Sequence, residues 1–193
     1  MSSSGTCHTS ASRYYERTRN FTPFQSLEAC LAAGGKLPAG QSLSATKPSS
    51  TAYSRGQFGS GWDDADGDCQ DSRQEALIAQ STAPVRFKDN NHCRVLSGRW
   101  ISPYSGQVIH DPSAMDIDHV VPLKWAWEHG ASSWPKEKRV RFANDPRNLV
   151  SVEASLNRQK GAKGLDEWLP PANQQQYIAR FKAVAKMYGL PDR

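Results

Sequence analysis

Several features are scarce in this sequence, and each absence narrows the field. No apolar run approaches the roughly 20 residues that a membrane-spanning helix needs, so no membrane role is expected. There are 4 cysteines, at positions 7, 30, 69 and 93, and no pair has the C-x-x-C spacing of a zinc knuckle. The opening MSSSG has neither the basic nor the apolar region of a secretory leader, so an exported form would be a mature or trimmed one. No stretch has the character of a helix-turn-helix or a finger array, so any contact with nucleic acid is expected to show low sequence preference. No small-molecule cofactor is expected.

What is present suits a globular domain with an appendage. The chain has 193 residues, 37% hydrophobic and 22% charged, with 6 Trp. Net charge is +5. Between Lys136 and Lys163 the basic positions 136, 138, 139, 141, 147, 158, 160 and 163 face acids only at 137, 145 and 153. Eight minus three accounts for +5 in that segment alone. Such a local excess favours a polyanionic partner through counterion release and steering, although a solvated basic face has the same composition. The even cysteine count suits two disulfides in an oxidising compartment, secreted or periplasmic. Chain order suggests Cys7–Cys30 and Cys69–Cys93 among the three possible pairings.

Along the chain, residues 1–37 read as a small N-terminal appendage. Ser26 can cap a helix LEACLAAGG that carries Cys30, with Tyr14, Tyr15, Phe21 and Phe24 stapled over it. Residues 38–61 are rich in Ser, Thr, Gly and Pro and read as a linker or long surface loop, and residues 62–193 as the main domain. In WDDADGDCQDSRQEAL, the residues Asp64, Asp66, Asp68, Gln70, Ser72 and Glu75 hold the ligand positions of a twelve-residue calcium loop. Cys69 stands where that loop's sharp turn needs Gly, so an Asp-rich turn with Asp71 capping the helix is the simpler expectation. Arg73, near that helix start, can reach a phosphate or pair with an Asp. PVRF, HCRVLS and RWISPY read as short strands. MDIDHVV is another, stopped by Pro122. LKWAWEHG and PKEKRVRFAN read as helices, NLVSV as a strand, and EASLNRQKGAKG as a helix. Trp125, Trp127, Trp134 and Phe142 are expected to pack as core, as is the stripe Tyr177, Phe181, Val184 and Tyr188 of a last helix.

The chemistry concentrates between Met115 and Lys160. Phosphodiester hydrolysis needs an activated water and neutralisation of the phosphate charge. His119 is suited to be a general base. Asp118 and Asn157 offer oxygens for one divalent cation. Asn148 can hold the His119 ring, while Arg158, Lys160 and Lys163 can meet phosphate oxygens. Asp116 lies two residues before Asp118 on the same strand face and is expected to support the metal site from behind. Strand, loop, strand, helix order would let these groups meet, with Asn157 about two helical turns into its helix.

IDHVVPLKWAW, ANDPRNLVSV and LNRQKGAKGLDEWLP resemble the HNH nucleases of the ββα-metal (His-Me finger) superfamily, in particular the subgroup related to the C-terminal domain of GmrSD-type restriction enzymes. The resemblance covers about residues 62–170. The upstream stretches W-D-D-x-D-x-D-C-Q-D-S-R and C-R-V-L-S-G-R-W-I-S-P-Y-S-G look like exported bacterial members. It implies an α+β fold with a ββα core, extra helices and disulfide staples, acting as an endonuclease. His119 would be the base and Asn148 its orienting group. Asp118 and Asn157 would hold Mg²⁺ or a substitute such as Mn²⁺, with DNA as substrate and RNA as a second candidate. Asn157 stands where many members have His, which disfavours softer metals such as Zn²⁺. Two rival readings are a DNA-binding protein on the same scaffold without turnover, and a secreted calcium-stabilised interaction module built on the acidic loop.

Overall fold

The computed structural model describes residues 1–8, 20–24, 27–37 and 52–191. They fall into two compact units, Met1–Ser50 and Thr51–Arg193. In the first, helix α1 (Leu27–Ala32) is tied by a Cys7–Cys30 disulfide, both cysteines buried. Thr6 bridges Lys36, and the chain packs so closely there that a Cβ on Gly35 would run into the Cys7 sulfur. Phe21 is 61% exposed and Phe24 is also exposed, so these rings do not cover the helix as expected. Tyr14, Tyr15 and the Ser26 cap lie outside the described residues, as does most of the expected linker.

The second unit mixes helices with small antiparallel sheets, an α+β arrangement. Helix α2 (Ser72–Gln80) starts as the sequence suggests, with the Asp71 carboxylate accepting from Gln74 N–H. The acidic turn before it is held by its own backbone: Asp64 accepts from Gly67 and Cys69 amides, and Asp68 from Gln70. These Asx-type bonds account for the aspartates without a cation. Cys69 pairs with Cys93, which joins the turn to the segment leading into β2.

Three two-stranded sheets follow. Strand β1 (Arg86–Phe87) pairs with β2 (Val95–Ser97), and β3 (Trp100–Ile101) with β4 (Val108–Ile109). The third, β5 (Met115–His119) with β6 (Leu149–Glu153), sets Asp118 opposite Val150 and His119 opposite Leu149. Between its strands lie α3 (Leu123–Glu128), which Pro122 starts, and α4 (Lys136–Asn144), which Pro135 starts. Helix α5 (Ala154–Lys160) leaves β6 at once, so Asn157 sits one turn into it rather than two. Helix α6 (Gln174–Tyr188) closes the domain.

Strand alternation sorts β5 into two faces. Met115 and Ile117 enter a small core with Leu77, Trp100 and Leu149. Asp116 and Asp118 turn instead to α5, where they bond Asn157 and Lys160. Their cross-strand neighbours Val152 and Val150 enter the larger core with Trp125, Phe142, Phe181 and Tyr188, so the expected core aromatics pack as core. Residues 52–61, expected to end a linker, pack differently. A 3₁₀ turn at Arg55–Phe58 buries Phe58, its ring centroid 6.2 Å from Trp127 and 6.1 Å from Phe142. One aromatic side chain outweighs the polar composition of the stretch around it. No helix is long and apolar enough to cross a membrane among the described residues.

Candidate active site

His119 ends β5 with its ring between two restraints. Its Nε2 lies 2.8 Å from the Ala143 carbonyl oxygen. A carbonyl only accepts, so Nε2 carries the proton and Nδ1 keeps its lone pair. The ring also stacks on Trp62, with centroids 5.5 Å apart and planes 10° from parallel. Burial presses the imidazole pKa from the usual 6.5 down to about 3, the nearby charges of Arg55 and Lys160 add to this, and the Ala143 hydrogen bond opposes it. The ring is therefore neutral across the ordinary pH range. Nδ1 has no partner among the described residues, yet it is not sealed off. Ser151 Oγ is the one fully buried side-chain polar atom there without a hydrogen bond.

Asn148 does not hold the ring, as had been expected of it. Its Oδ1 accepts from Val121 N–H at 2.8 Å, and its Nδ2 donates to Val121 O and Phe142 O. It pins the backbone just after His119 to the backbone just before Ala143. It thus sets the distance between the base and the carbonyl that orients it. The loop that delivers Asn148 is fixed in turn by Asp145, which takes a two-pronged bond from Arg147 and one from Tyr188 Oη. Those donors hold the Asp145 carboxyl below its usual range against the effect of burial.

The two aspartates of β5 have different partners. Asp118 is 6% exposed. The Lys160 ammonium lies 3.1 Å from one of its oxygens and 2.9 Å from the other, and Tyr104 Oη donates to the latter at 2.6 Å. Lys160 also donates to His119 O at 2.7 Å and is 0% exposed. It therefore cannot be the phosphate contact expected from its place on a basic helix. Burial lowers its pKa and Asp118 counters that shift, while burial and then the Asp118 charge drive the Tyr104 hydroxyl well up. Asp116 is only half-buried, and Asn157 Nδ2 lies 2.9 Å from its Oδ2. The structure thus joins Asn157 to Asp116, where the sequence reading had paired it with Asp118.

These groups border one cavity of about 510 Å³, lined by Asp116, Asp118, His119 and Asn157 together with Arg55 and Arg73. Arg73 makes no ion pair with an aspartate among the described residues. Its guanidinium donates to Pro112 O and Met115 O, which seat it at the start of β5 beside the cavity. Arg158 and Lys163 are exposed, outside the cavity lining. Sequence reasoning missed Arg55, Trp62, Tyr104 and the Ala143 carbonyl. Trp62 was visible in the W-D-D stretch, but its stack on a distant histidine has no sequence signal, and a backbone carbonyl has none at all.

The comparisons agree with this picture at the level of family. Residues 70–189 match the family described as GmrSD restriction endonucleases, C-terminal domain. An uncharacterized secreted protein of the fungus Arthroderma benhamiae is 40% identical over 142 residues, covering 72% of this chain and 67% of that protein. This relative is fungal, so the likeness is not the bacterial one read from the sequence. No solved structure matches the chain. The chain belongs to the family of GmrSD restriction endonuclease C-terminal domains, and that membership points to nuclease chemistry on a nucleic-acid substrate.

Proposed function

We propose that this protein is an exported, metal-dependent endonuclease of the HNH, ββα-metal type that hydrolyses phosphodiester bonds of DNA with low sequence preference, RNA being the second candidate. The observation that carries the reading is the state of His119. The Ala143 carbonyl fixes the tautomer and leaves Nδ1 as a lone-pair base at a cavity flanked by arginines. A neutral imidazole can take the proton of an attacking water only if its free nitrogen reaches that water, and the stack on Trp62 stops the ring from turning away. An entering phosphodiester anion opposes the depressed pKa, because negative charge favours the protonated ring. Arg73 has N–H groups beyond those bound to Pro112 and Met115, and Arg55 sits exposed at the rim. Both can meet phosphate oxygens. Arg158 and Lys163 would touch the polyanion outside the cavity, giving affinity that falls with salt.

The donor set fits a hard divalent cation such as Mg²⁺ or Mn²⁺. Asn157 and an aspartate of β5 offer an amide and a carboxylate oxygen beside open space, with no thiolate or imidazole among them. When bound, such an ion would supply charge neutralisation at the phosphate. Export is supported by the two disulfides, which persist in oxidising compartments.

The test is incubation of supercoiled plasmid, and separately of a long RNA, with the purified protein in Mg²⁺ and in EDTA. Nicking or linearisation in Mg²⁺ that EDTA abolishes is expected. Intact nucleic acid in Mg²⁺, Mn²⁺ and Ni²⁺ alike would contradict the proposal.

A further inference from the structure

We infer that Asp116, and not Asp118, is the carboxylate that holds the divalent cation together with Asn157. The inference rests on the metal-dependent reading above. Both aspartates lie on the same face of β5 and both meet α5, so sequence position alone does not choose between them. Their surroundings do.

Asp118 is already neutralised. Both of its oxygens accept from the Lys160 ammonium, at 3.1 and 2.9 Å, and the second oxygen also accepts from Tyr104 Oη. Lys160 is fully buried, held in addition by His119 O, and has no path to withdraw into solvent. A cation bound to Asp118 would therefore sit close to a buried ammonium, where like charges repel with little screening. The Lys160–Asp118–Tyr104 group instead works as a pin that fastens the end of α5 to the end of β5.

Asp116 has the opposite setting. It borders the cavity, is half-buried, and its one printed polar partner is the Asn157 amide at 2.9 Å. Which amide atom of Asn157 faces it is assigned rather than seen, and a flip leaves the heavy-atom positions in place. Two oxygens about 2.9 Å apart match adjacent ligands of an octahedral ion whose bonds are about 2.0–2.1 Å. Arg73, seated at Met115 O, stands across the cavity rather than on the carboxylate, since no ion pair joins it to Asp116 among the described residues.

The experiment is Mn²⁺ binding followed by the loss of the free-ion EPR signal, read on the full chain as wild type, Asp116→Asn and Asp118→Asn. A paired variant, Asp118→Asn with Lys160→Met, removes both buried charges together and covers the case in which the single change unfolds the protein. Asp116→Asn is expected to weaken Mn²⁺ at least tenfold with the metal-free melting temperature unchanged. Asp118→Asn, or the paired variant, is expected to keep affinity within about threefold while changing the melting temperature. Retained binding in Asp116→Asn with binding lost in the folded paired variant would overturn the inference and leave the metal-dependent reading intact. Absence of Mn²⁺ binding by the wild type would overturn both.

Discussion

Asn157 and Lys160 lie one turn apart on α5, and each meets an aspartate of β5, yet only the first pair stands beside open space. At Asn157 the partner is half-buried and borders the cavity. At Lys160 the partner is buried, and every strong donor nearby is already engaged. The lesson is that an acidic residue next to a base is not thereby a ligand. What decides is whether its charge has been answered from within the fold. A buried ion pair of this kind gives little net stability as a pair, but it makes the loss of one member costly.

That asymmetry can be broken most strongly from the Lys160 side. Lys160→Met would leave Asp118 charged and unpaired in the interior and should lower unfolding free energy by about 3–5 kcal/mol in urea titration. Asp116→Asn, at the open pair, should cost under about 1 kcal/mol in the same titration. Equal costs would mean that the two seams do not differ as described. Next in size is the Cys69–Cys93 link, whose conversion to serines should destabilise the Thr51–Arg193 unit by roughly 2–5 kcal/mol. Replacing Cys7 and Cys30 should leave the transition of that unit in place, and a shift of similar size would show coupling between the units.

A smaller effect follows from His119. Its folded pKa is about 3 against 6.5 in the unfolded chain, so below pH 6.5 the unfolded state takes up a proton that the folded state refuses. Stability should fall as pH drops from 6.5 toward 3, by about 1.4 kcal/mol per pH unit from this group. Melting of the wild type and of His119→Gln at pH 7.5 and 5.5 isolates it, and parallel curves would refute the buried neutral ring. Smallest is the stack. Trp62→Leu should lower kcat about tenfold with KM little changed, while Trp62→Phe retains most of the rate, because an aromatic plane still restrains the imidazole.

Much of the frame was legible in the sequence because it is local. Pro122 and Pro135 start helices, Asp71 caps α2, and the α6 stripe is core, each set by a few neighbouring residues. The motif residues were legible as a set, but their pairing was not. Asn148 fastens backbone instead of the ring, Lys160 turns inward instead of toward substrate, and Asn157 meets Asp116. Which partner a polar side chain takes depends on strand register and helix phase across 41 intervening positions, and no spacing rule encodes that. Phe58 shows the same limit from the apolar side, since a Ser- and Gly-rich stretch gave no hint of a buried ring.

The central claim is that His119 is the base of a phosphodiester hydrolysis. The most direct measurement is the single-turnover cleavage rate of a labelled DNA duplex in saturating Mg²⁺ by wild type and by folded His119→Ala. The account predicts a loss of about 10²–10⁴-fold in rate with duplex binding retained. An unchanged rate in the variant would contradict it.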